Sequence, residues 1–434
     1  MDKLRPFQII LLAVFGLSAL VGLYVFANFG GFGSAKVQVG TVIIWGTLPQ
    51  EAVQAGIDEL TSTQSQYAKV SYVEMSEYSF DSDLAEAIAS GAGPDLVIIS
   101  QEMLMDEQNK LNLINYSSIP QRTYVDSYLP LFELFLTDGG TYGIPLVLDP
   151  LVLYYNRSIL SSAGIASPPA TWEAVSGLAP VITRRTDAGA VSRSLIGLGE
   201  YGNVSNARAI LSLLLMQAGS PITKANEAGE LKSTLSDASD SAFGTGAAQS
   251  AVNYYSQFAD PAKSLYSWNR SLPVSRSAFT AGDVALYLGF ASERAFIASA
   301  NPNLDFDMAR APTPGTSANR MTYGVGYAFA IPKASGNAAG AYSAATALST
   351  RGIADIIAKA AGMAPARRGA LTAPADDEYA SVYFPEALIA RGWLSPAPGT
   401  TDRIFSAMIS DITTGRRSVE QAVTTASQAI TEAL

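Results

Sequence analysis

Apolar strand-like runs alternate with amphipathic helical segments in the first part of the chain. Runs of β-branched and aromatic residues at 42–45, 69–75 and 95–99 predict three strands. Apolar positions at helical spacing predict one helix after Gln50 and a second at 80–90. Alternating strands and helices indicate a parallel sheet of the α/β class, whose ligands bind at the carboxyl ends of the strands.

The start of the first helix carries a capping signal. Thr47 as the N-cap and Gln50 three residues later form a predicted capping box, and Pro49 suits a first helical turn. Val53 and Ile57 then recur at helical spacing. We therefore expect the side chain of Thr47 to cap this helix.

The stretch 138–156, DGGTYGIPLVLDPLVLYYN, predicts a crossing between two lobes. Two apolar runs, 144–148 and 151–155, read as short strands, and Asp149-Pro150 separates them. Proline cannot donate to a sheet ladder, and a carboxylate interrupts the apolar path. We expect the chain to leave one sheet and enter another here, with Asp149 facing the cleft between the lobes or, alternatively, capping local backbone amides.

The same periodicity predicts the elements of the middle part of the chain. Helices are expected at 157–164, 174–181 and 207–218, and a strand at 195–201. The segment 223–248 is rich in Ala, Ser, Gly and acidic residues, which predicts a surface loop or a frayed helix.

The N-terminal span 7–29 is long and apolar enough for a membrane helix, which needs about twenty residues. Lys3 and Arg5 precede it and no basic residue follows until Lys36, so the N-terminus is expected in the cytoplasm. A cleaved signal peptide is the alternative, with Val25-Phe26-Ala27 as its cleavage site, but its apolar region is usually about 7–15 residues. We expect an uncleaved anchor and a binding domain outside the cytoplasm.

Composition excludes several function classes. The chain has 434 residues, which favours two lobes over one core, and a net charge of -10, which argues against nucleic-acid binding. It contains neither cysteine nor histidine. Disulfides, thiolate nucleophiles and the usual zinc ligands are therefore absent, and so is the commonest general base. No catalytic residue, cofactor or metal site is expected.

Separated motifs carry a resemblance to one family. The predicted crossing contributes Tyr142-Gly143, Asp149 and Tyr155-Asn156, followed by Pro-Ala-Thr-Trp-Glu at 169–173. The other motifs are Ser-Gly-Ala-Gly-Pro-Asp-Leu-Val at 90–97, Phe-Thr-Ala-Gly-Asp-Val-Ala at 279–285, Tyr-Gly-Val-Gly at 323–326 and Gly-Arg-Arg-Ser-Val-Glu-Gln-Ala at 415–422. With these motifs the chain resembles the type 1 extracellular solute-binding proteins, the maltose/oligosaccharide-binding family that feeds ABC importers.

The resemblance implies an α/β, two-lobed periplasmic-binding-protein-like fold of type II, with hinge crossings between the lobes and an N-terminal transmembrane helix. A second crossing is expected near 307–314. The implied division is an anchor and tether at 1–36, a first lobe at 37–148 plus 309–349, and a second lobe at 149–308 plus 350–434. Hinge motion would close the lobes on a solute.

The resemblance also implies a ligand-binding set at the ends of the strands. In the family, the positions of 45–47 and 100–102 line the cleft. The ligand-binding residues expected here are Trp45, Thr47, Ser100, Gln101, Glu102, Asp149, Tyr201, Asn203, Phe290, Tyr323 and Arg403. The aromatic positions of maltose-type members fall on Ile99, Ala291 and Asp402 in this chain, so the sugar-like solute is not identified further.

These patterns predict a tethered, monomeric, non-enzymatic binding protein that delivers a sugar or oligosaccharide to ABC transporter permease subunits. One alternative is an extracytoplasmic carbohydrate-active hydrolase using Asp149 and Glu102 as a carboxylate pair. Another is a ligand-sensing partner of a membrane receptor.

The apolar span predicts membrane association. The full chain should sediment with membranes, and deletion of residues 1–36 should release a soluble monomer, because the deletion removes the apolar span. Fractionation followed by N-terminal sequencing of the native protein checks this. A mature N-terminus at Asn28 would instead show cleavage and secretion.

Overall fold

A computed structural model describes residues 39–226, 228–237, 246–315, 320–372 and 377–434. The predicted anchor at 7–29 lies outside these residues. Within the described ranges, no helix combines the length and the apolar character that a bilayer crossing requires.

The strands are numbered in chain order. They are β1 (Val42–Gly46), β2 (Val70–Glu74), β3 (Leu96–Ser100), β4 (Ile114–Asn115), β5 (Gly140–Thr141), β6 (Ile144–Asn156), β7 (Arg184–Arg185), β8 (Val191–Ile196), β9 (Thr223–Ala225), β10 (Leu231–Ser233), β11 (Val284–Phe290), β12 (Phe306–Ala309), β13 (Thr322–Ala330), β14 (Ala364–Pro365) and β15 (Ala390–Arg391).

The helices are numbered likewise. They are α1 (Gln50–Thr63), α2 (Phe80–Ser90), α3 (Leu104–Glu107), α4 (Gln121–Ser127), α5 (Arg157–Ser162), α6 (Trp172–Ile182), α7 (Ala207–Gln217), α8 (Ala247–Ser256), α9 (Ser275–Ala281), α10 (Glu293–Ala300), α11 (Ala338–Leu348), α12 (Arg351–Ala361), α13 (Ala380–Ile389), α14 (Pro398–Thr413) and α15 (Val419–Ala433).

A mixed sheet runs through the described protein in the order β2-β1-β3-β13-β6-β11-β8-β7. β1 pairs in parallel with both β2 and β3, as the alternating pattern of the sequence predicted. β13 lies antiparallel to β3 and to β6. The mixed α/β class expected from the sequence is therefore confirmed.

β6 belongs to two sets of neighbours. Its residues 144–150 pair with β13, and its residues 151–156 pair with β11 and β12. We call β1, β2, β3, β13 and residues 144–150 the first half-sheet, and β7, β8, β11, β12 and residues 151–156 the second half-sheet.

The predicted break of β6 at Asp149-Pro150 was wrong, since one extended strand continues through both residues. Pro150 has no amide hydrogen to donate, but its carbonyl oxygen accepts from the Ala291 amide at 3.0 Å. The strand changes partners without changing conformation.

The predicted capping box at the first helix was also wrong. α1 begins at Gln50, with Pro49 as its N-cap and no side-chain capping bond. The amide side chain of Gln50 instead donates to the Tyr72 carbonyl at 3.1 Å and accepts from the Glu74 amide at 3.1 Å. Gln50 thus ties α1 to β2 and leaves Thr47 free for another role.

The segment predicted as a loop or frayed helix at 223–248 contains a β-hairpin. β9 and β10 pair antiparallel, and Gly229 adopts a φ of +82° in the connection. That angle favours glycine, so the connection can turn tightly. The short strands lack the alternating apolar pattern by which strands are predicted from sequence.

Helix α12 packs against helix α1 beside the first half-sheet. Ile353 and Ile357 of α12 belong to the apolar core under the first half-sheet, together with Val53 and Ile57 of α1. The contact is close, because a Cβ added at Gly56 would lie 2.4 Å from Ile357. Helix α12 therefore packs with the first half-sheet.

Gly326 in β13 offers a test of this packing. A Cβ there would lie 2.5 Å from Leu131 and 2.9 Å from Phe132, both of which are buried. We expect Gly326→Ala to destabilise the chain lacking residues 1–36 by about 1–3 kcal/mol in denaturant unfolding, because the core cannot expand freely.

Gly352→Ala in α12 is the matched control, since an added Cβ there meets no described atom within 4 Å. This change should be neutral or slightly stabilising. Equal losses for the two variants would contradict the packing described for β13.

Candidate ligand-binding cleft

A cleft of about 850 Å³ lies between the two half-sheets. Residues from the first half-sheet line one wall: Thr47 follows β1, Glu77 and Tyr78 follow β2, and Ser100 and Glu102 lie at the end of β3. The carboxyl ends of parallel strands meet at one edge of a sheet, which explains why these residues share a wall.

The second wall comes from segments around α7, α9 and β11. Tyr201, Asn206, Arg208, Arg276 and Phe290 line it. Asn206 precedes α7 with a φ of +59°, a conformation that asparagine tolerates better than most residues. Its side-chain amide donates to the Tyr287 hydroxyl at 3.1 Å, so the start of α7 is fixed to β11.

Arg208 joins the two walls through ion pairs. Its Nη2 donates to Glu102 Oε2 at 2.8 Å, and its Nη1 donates to Asp402 Oδ2 at 2.6 Å. Tyr323 donates its hydroxyl to the other oxygen of Glu102, and Tyr201 donates to the other oxygen of Asp402. The side chains of Arg208 and Glu102 are 17% and 7% exposed, so this pair is shielded from solvent.

These carboxylates decide the charge state of Arg208. Burial alone would lower the pKa of Arg208, but Glu102 and Asp402 overcome burial and raise it. The guanidinium therefore stays charged, and removal of either partner would leave a charge with poor compensation.

Asp149 lies at the change of partners in β6 and faces the cleft. It is 4% exposed and accepts from the Ser292 amide at 3.2 Å and from the Ser292 hydroxyl at 2.5 Å. The alternative interpretation of Asp149 was a cap of backbone amides next to it in the sequence. The amide that it accepts from instead belongs to Ser292, which is 143 positions away along the chain. Burial raises the pKa of Asp149 to about 7; the Ser292 bonds oppose this rise and Glu293 adds to it.

Seven of the predicted ligand-binding residues line the cleft together. They are Thr47, Ser100, Glu102, Asp149, Tyr201, Phe290 and Arg403.

The other four predicted residues are outside the described lining. Gln101 is fully buried and bonds the backbone of Gly324 and Gly326 at 3.1 and 2.8 Å. Tyr323 is buried behind Glu102. The side-chain amide of Gln101 thus bonds the backbone of β13, and the hydroxyl of Tyr323 bonds Glu102.

Asn203 and Trp45 also have partners within the protein. The amide of Asn203 donates to the Asn269 and Leu272 carbonyls at 2.9 and 3.0 Å. Trp45 is half-buried and packs against the larger apolar core. Neither side chain is positioned as a cleft contact in this structure.

Sequence reasoning missed Glu77, Tyr78 and Tyr327. Glu77 and Tyr78 follow β2, so the rule that ligands bind at the carboxyl ends of parallel strands could have found them. Tyr327 was recoverable from strand alternation, because it lies four residues after Tyr323 and on the same face of β13. Arg208 had no such signal, since helical periodicity marks the buried face of α7 and says nothing of partners across a cleft.

Aromatic rings and hydrogen-bonding groups share the cleft. Tyr78 is fully exposed, and Tyr201, Phe290 and Tyr327 are half-buried along the lining. Within the described chain, the Tyr327 hydroxyl has no hydrogen-bond partner. Flat apolar faces beside carboxylates and hydroxyls suit a ligand with both apolar faces and hydroxyl groups.

Asp81, Asp106 and Glu107 form an acidic corner of the lining. Their carboxylate oxygens lie within 4.8 Å of one another. Lys110 donates to Asp81 and to Glu107, the latter at 3.3 Å. Burial raises the pKa of Glu107 to about 8, with Asp81 adding to the effect and Lys110 opposing it.

Comparison with known proteins finds a matching protein family and solved structures with a similar fold. The family model described as bacterial extracellular solute-binding protein matches residues 47–354, more than half of the chain. A binding protein of Brucella abortus (strain 2308) is 33% identical over 96 residues, a match covering 21% of this chain and 22% of that protein. The matched part is thus less than a quarter of that relative.

Solved structures resemble the whole described fold. The cyclic alpha-maltosyl-1,6-maltose binding protein from Arthrobacter globiformis is 19% identical, with a TM-score of 0.72, covering 91% of this chain and 98% of that one. The GacH receptor of Streptomyces glaucescens GLA.O is also 19% identical, with a TM-score of 0.69 and the same coverage. At these identities the likeness shows a shared fold.

The raised pKa of Asp149 predicts a pH dependence. A carboxyl group that binds its proton more tightly in the folded state stabilises the fold most at low pH and loses this contribution as pH rises through its folded pKa. The stability of the wild type relative to Asp149→Asn should therefore fall by about 1.4 kcal/mol per pH unit between about pH 4 and 7.

Denaturant unfolding of both proteins across this range measures the difference. Glu107 and Glu386, whose pKa values burial also raises, are present in both proteins and cancel in it. A difference that does not change with pH would contradict the buried environment of Asp149.

Proposed function

The chain belongs to the bacterial extracellular solute-binding protein family, and from that premise we propose that it captures a sugar or oligosaccharide in the cleft for delivery to an ABC transporter permease. The observation that carries the proposal is the cleft itself. It holds about 850 Å³ and takes its walls from both half-sheets. A volume of this size is within the usual range for small-molecule sites.

The chemistry of the lining favours a saccharide. Pyranose rings offer flat C–H faces for aromatic contact and hydroxyls that donate to carboxylates. Tyr78, Tyr201 and Phe290 supply rings, and Asp149 and Glu102 supply acceptors. Proteins of the same fold are named for maltodextrin and cyclic maltosyl ligands, which supports the saccharide class for this chain.

The solute would contact a defined part of the lining. We assign this contact to Thr47, Ser100, Asp149, Phe290 and Tyr327. Each lies between the two half-sheets, where closure of the cleft would bring both walls against the solute. Binding without catalysis is the proposed role, in keeping with a family defined by solute binding.

The proposed location is outside the cytoplasm, with the binding domain held at the membrane by the span at 7–29. This position would keep a captured solute close to the permease and raise its effective concentration there. The charge of -10 supports the absence of nucleic-acid partners. We propose a monomer as the working unit.

A ligand screen by thermal unfolding and calorimetry tests the saccharide class. We expect maltose, maltotriose or a related oligosaccharide to raise the unfolding midpoint, because a ligand that binds only the folded state stabilises it by about 2.7 kcal/mol at a hundredfold excess over Kd. Amino acids and polyamines serve as comparison ligands. Stabilisation by these alone would refute the saccharide proposal.

Asp149→Asn refines the same experiment. Above pH 7, where the Asp149 carboxyl is ionised, loss of a charge-assisted hydrogen bond should weaken the affinity for the stabilising saccharide by roughly 1.5–3 kcal/mol. Glu59→Gln on the exposed face of α1 is the control and should bind normally. Normal binding by Asp149→Asn would remove this residue from the site.

A further inference from the structure

One ion pair in the cleft joins groups that belong to different walls. Arg208 stands at the start of α7 in the second wall, and Glu102 follows β3 in the first. Nη2 of Arg208 donates to Oε2 of Glu102 at 2.8 Å. The side chains are 17% and 7% exposed, so both charges are largely shielded from solvent. This contact connects the walls at a place where they would part if the cleft opened.

The other charged contacts of the described lining do not span the cleft in this way. Arg276 donates to Glu293 at 3.4 Å within the second wall, and the pairs of the acidic corner lie within the first. Asp149 accepts from Ser292, but it does so from β6, the strand that both half-sheets share. The Arg208 pair is therefore the charged contact of the described lining that opening of the cleft would break.

Each partner of this pair is also bound on its own side. Tyr323 of β13 donates its hydroxyl to the other oxygen of Glu102. Nη1 of Arg208 donates to Asp402 Oδ2 at 2.6 Å and to the Pro398 carbonyl at 3.2 Å. Both acceptors lie on α14, which packs against α7 and α8. When the walls part, only the bond between Nη2 and Oε2 is lost, and neither charge is left without a partner.

The free energy of such a contact is nearly balanced. Opposite charges attract strongly in a shielded site, but removing both from water costs a comparable free energy. Opening the cleft hydrates Arg208 and Glu102 again, whereas closing it restores their bond. Because the two effects nearly cancel, both arrangements of the walls can be populated in the same sample.

We propose that Arg208 and Glu102 form a latch that closes the cleft in a fraction of the molecules before any solute binds. The inference rests on the proposed function only in taking this cleft as the solute site. A solute that binds the closed arrangement finds the walls already in position in that fraction, and its apparent affinity scales with the fraction. The latch thereby adjusts the affinity of the site without changing which solute is selected.

Distances between two spin labels in the solute-free protein test the latch. Ala85→Cys on α2 and Ser299→Cys on α10 place one exposed label beside each wall, in a chain that has no cysteine of its own. The full chain in mild detergent, dialysed free of solute, should show a shorter and a longer distance, for the closed and the open cleft. Glu102→Gln keeps the size of the side chain and removes its charge. The ratio of the shorter to the longer distance should therefore fall at least about tenfold.

Glu200→Gln is the matched control. Glu200 accepts from Arg270 at 3.1 Å and its side chain is 12% exposed, but both residues lie outside the described lining of the cleft. This variant should keep the wild-type distances, and circular dichroism checks that each variant is folded. Equal distance distributions in the wild type and Glu102→Gln would overturn the latch. So would the same loss of the shorter distance in Glu102→Gln and Glu200→Gln.

Salt provides a test that needs no substitution beyond the labels. Raising the ionic strength from about 0.1 M to about 1 M shortens the Debye length from about 10 Å to about 3 Å. Screening weakens the attraction that draws the two charges together, so the wild type should lose part of its shorter distance while Glu102→Gln stays unchanged. A wild type that does not respond to salt would contradict the latch.

The outcomes are separable from those of the proposed function. The distance measurements contain no saccharide, so a failed latch leaves the saccharide proposal as it stands. A ligand screen in which no saccharide binds would refute the proposed function, whereas the shorter distance and its dependence on Glu102 would still be measured in the solute-free chain.

Discussion

The antiparallel pairing of β6 with β13 is the constraint on which the rest of the structure depends. β6 is buried along almost its whole length and serves as a strand of both half-sheets. Because the chain stays extended through Asp149 and Pro150, the half-sheets are joined by continuous backbone rather than by loose connections. The cleft lies where β6 exchanges one set of neighbouring strands for the other. Asp149 of β6 and Val325 and Tyr327 of β13 line it.

A second tie between the halves is electrostatic. Arg208 stands on α7, which Asn206 fixes to the second half-sheet, and it reaches Glu102 at the end of β3 in the first. A buried ion pair of this kind adds little net stability compared with apolar packing, but its geometry is specific. The pair therefore favours one relative arrangement of the two walls.

The sequence was informative where periodicity and strand ends control structure. The three N-terminal strands, α2 and the position of Asp149 in a crossing all follow from local patterns. The family resemblance led to Thr47, Ser100 and Glu102. Gln101 and Tyr323 were also expected at the ligand, yet their polar groups bond Gly324, Gly326 and Glu102. The role of Arg208 depends on residues more than a hundred positions away. No local pattern encodes such a partner.

The most direct test of the account measures closure of the cleft. The chain contains no cysteine, so Ser82→Cys on α2 and Ala407→Cys on α14 would place a single pair of spin labels on opposite sides of the cleft. The distance between the labels should shorten when the saccharide that most stabilises the protein is added, while the circular dichroism stays constant. An unchanged distance at saturating saccharide would contradict a cleft that closes on its solute.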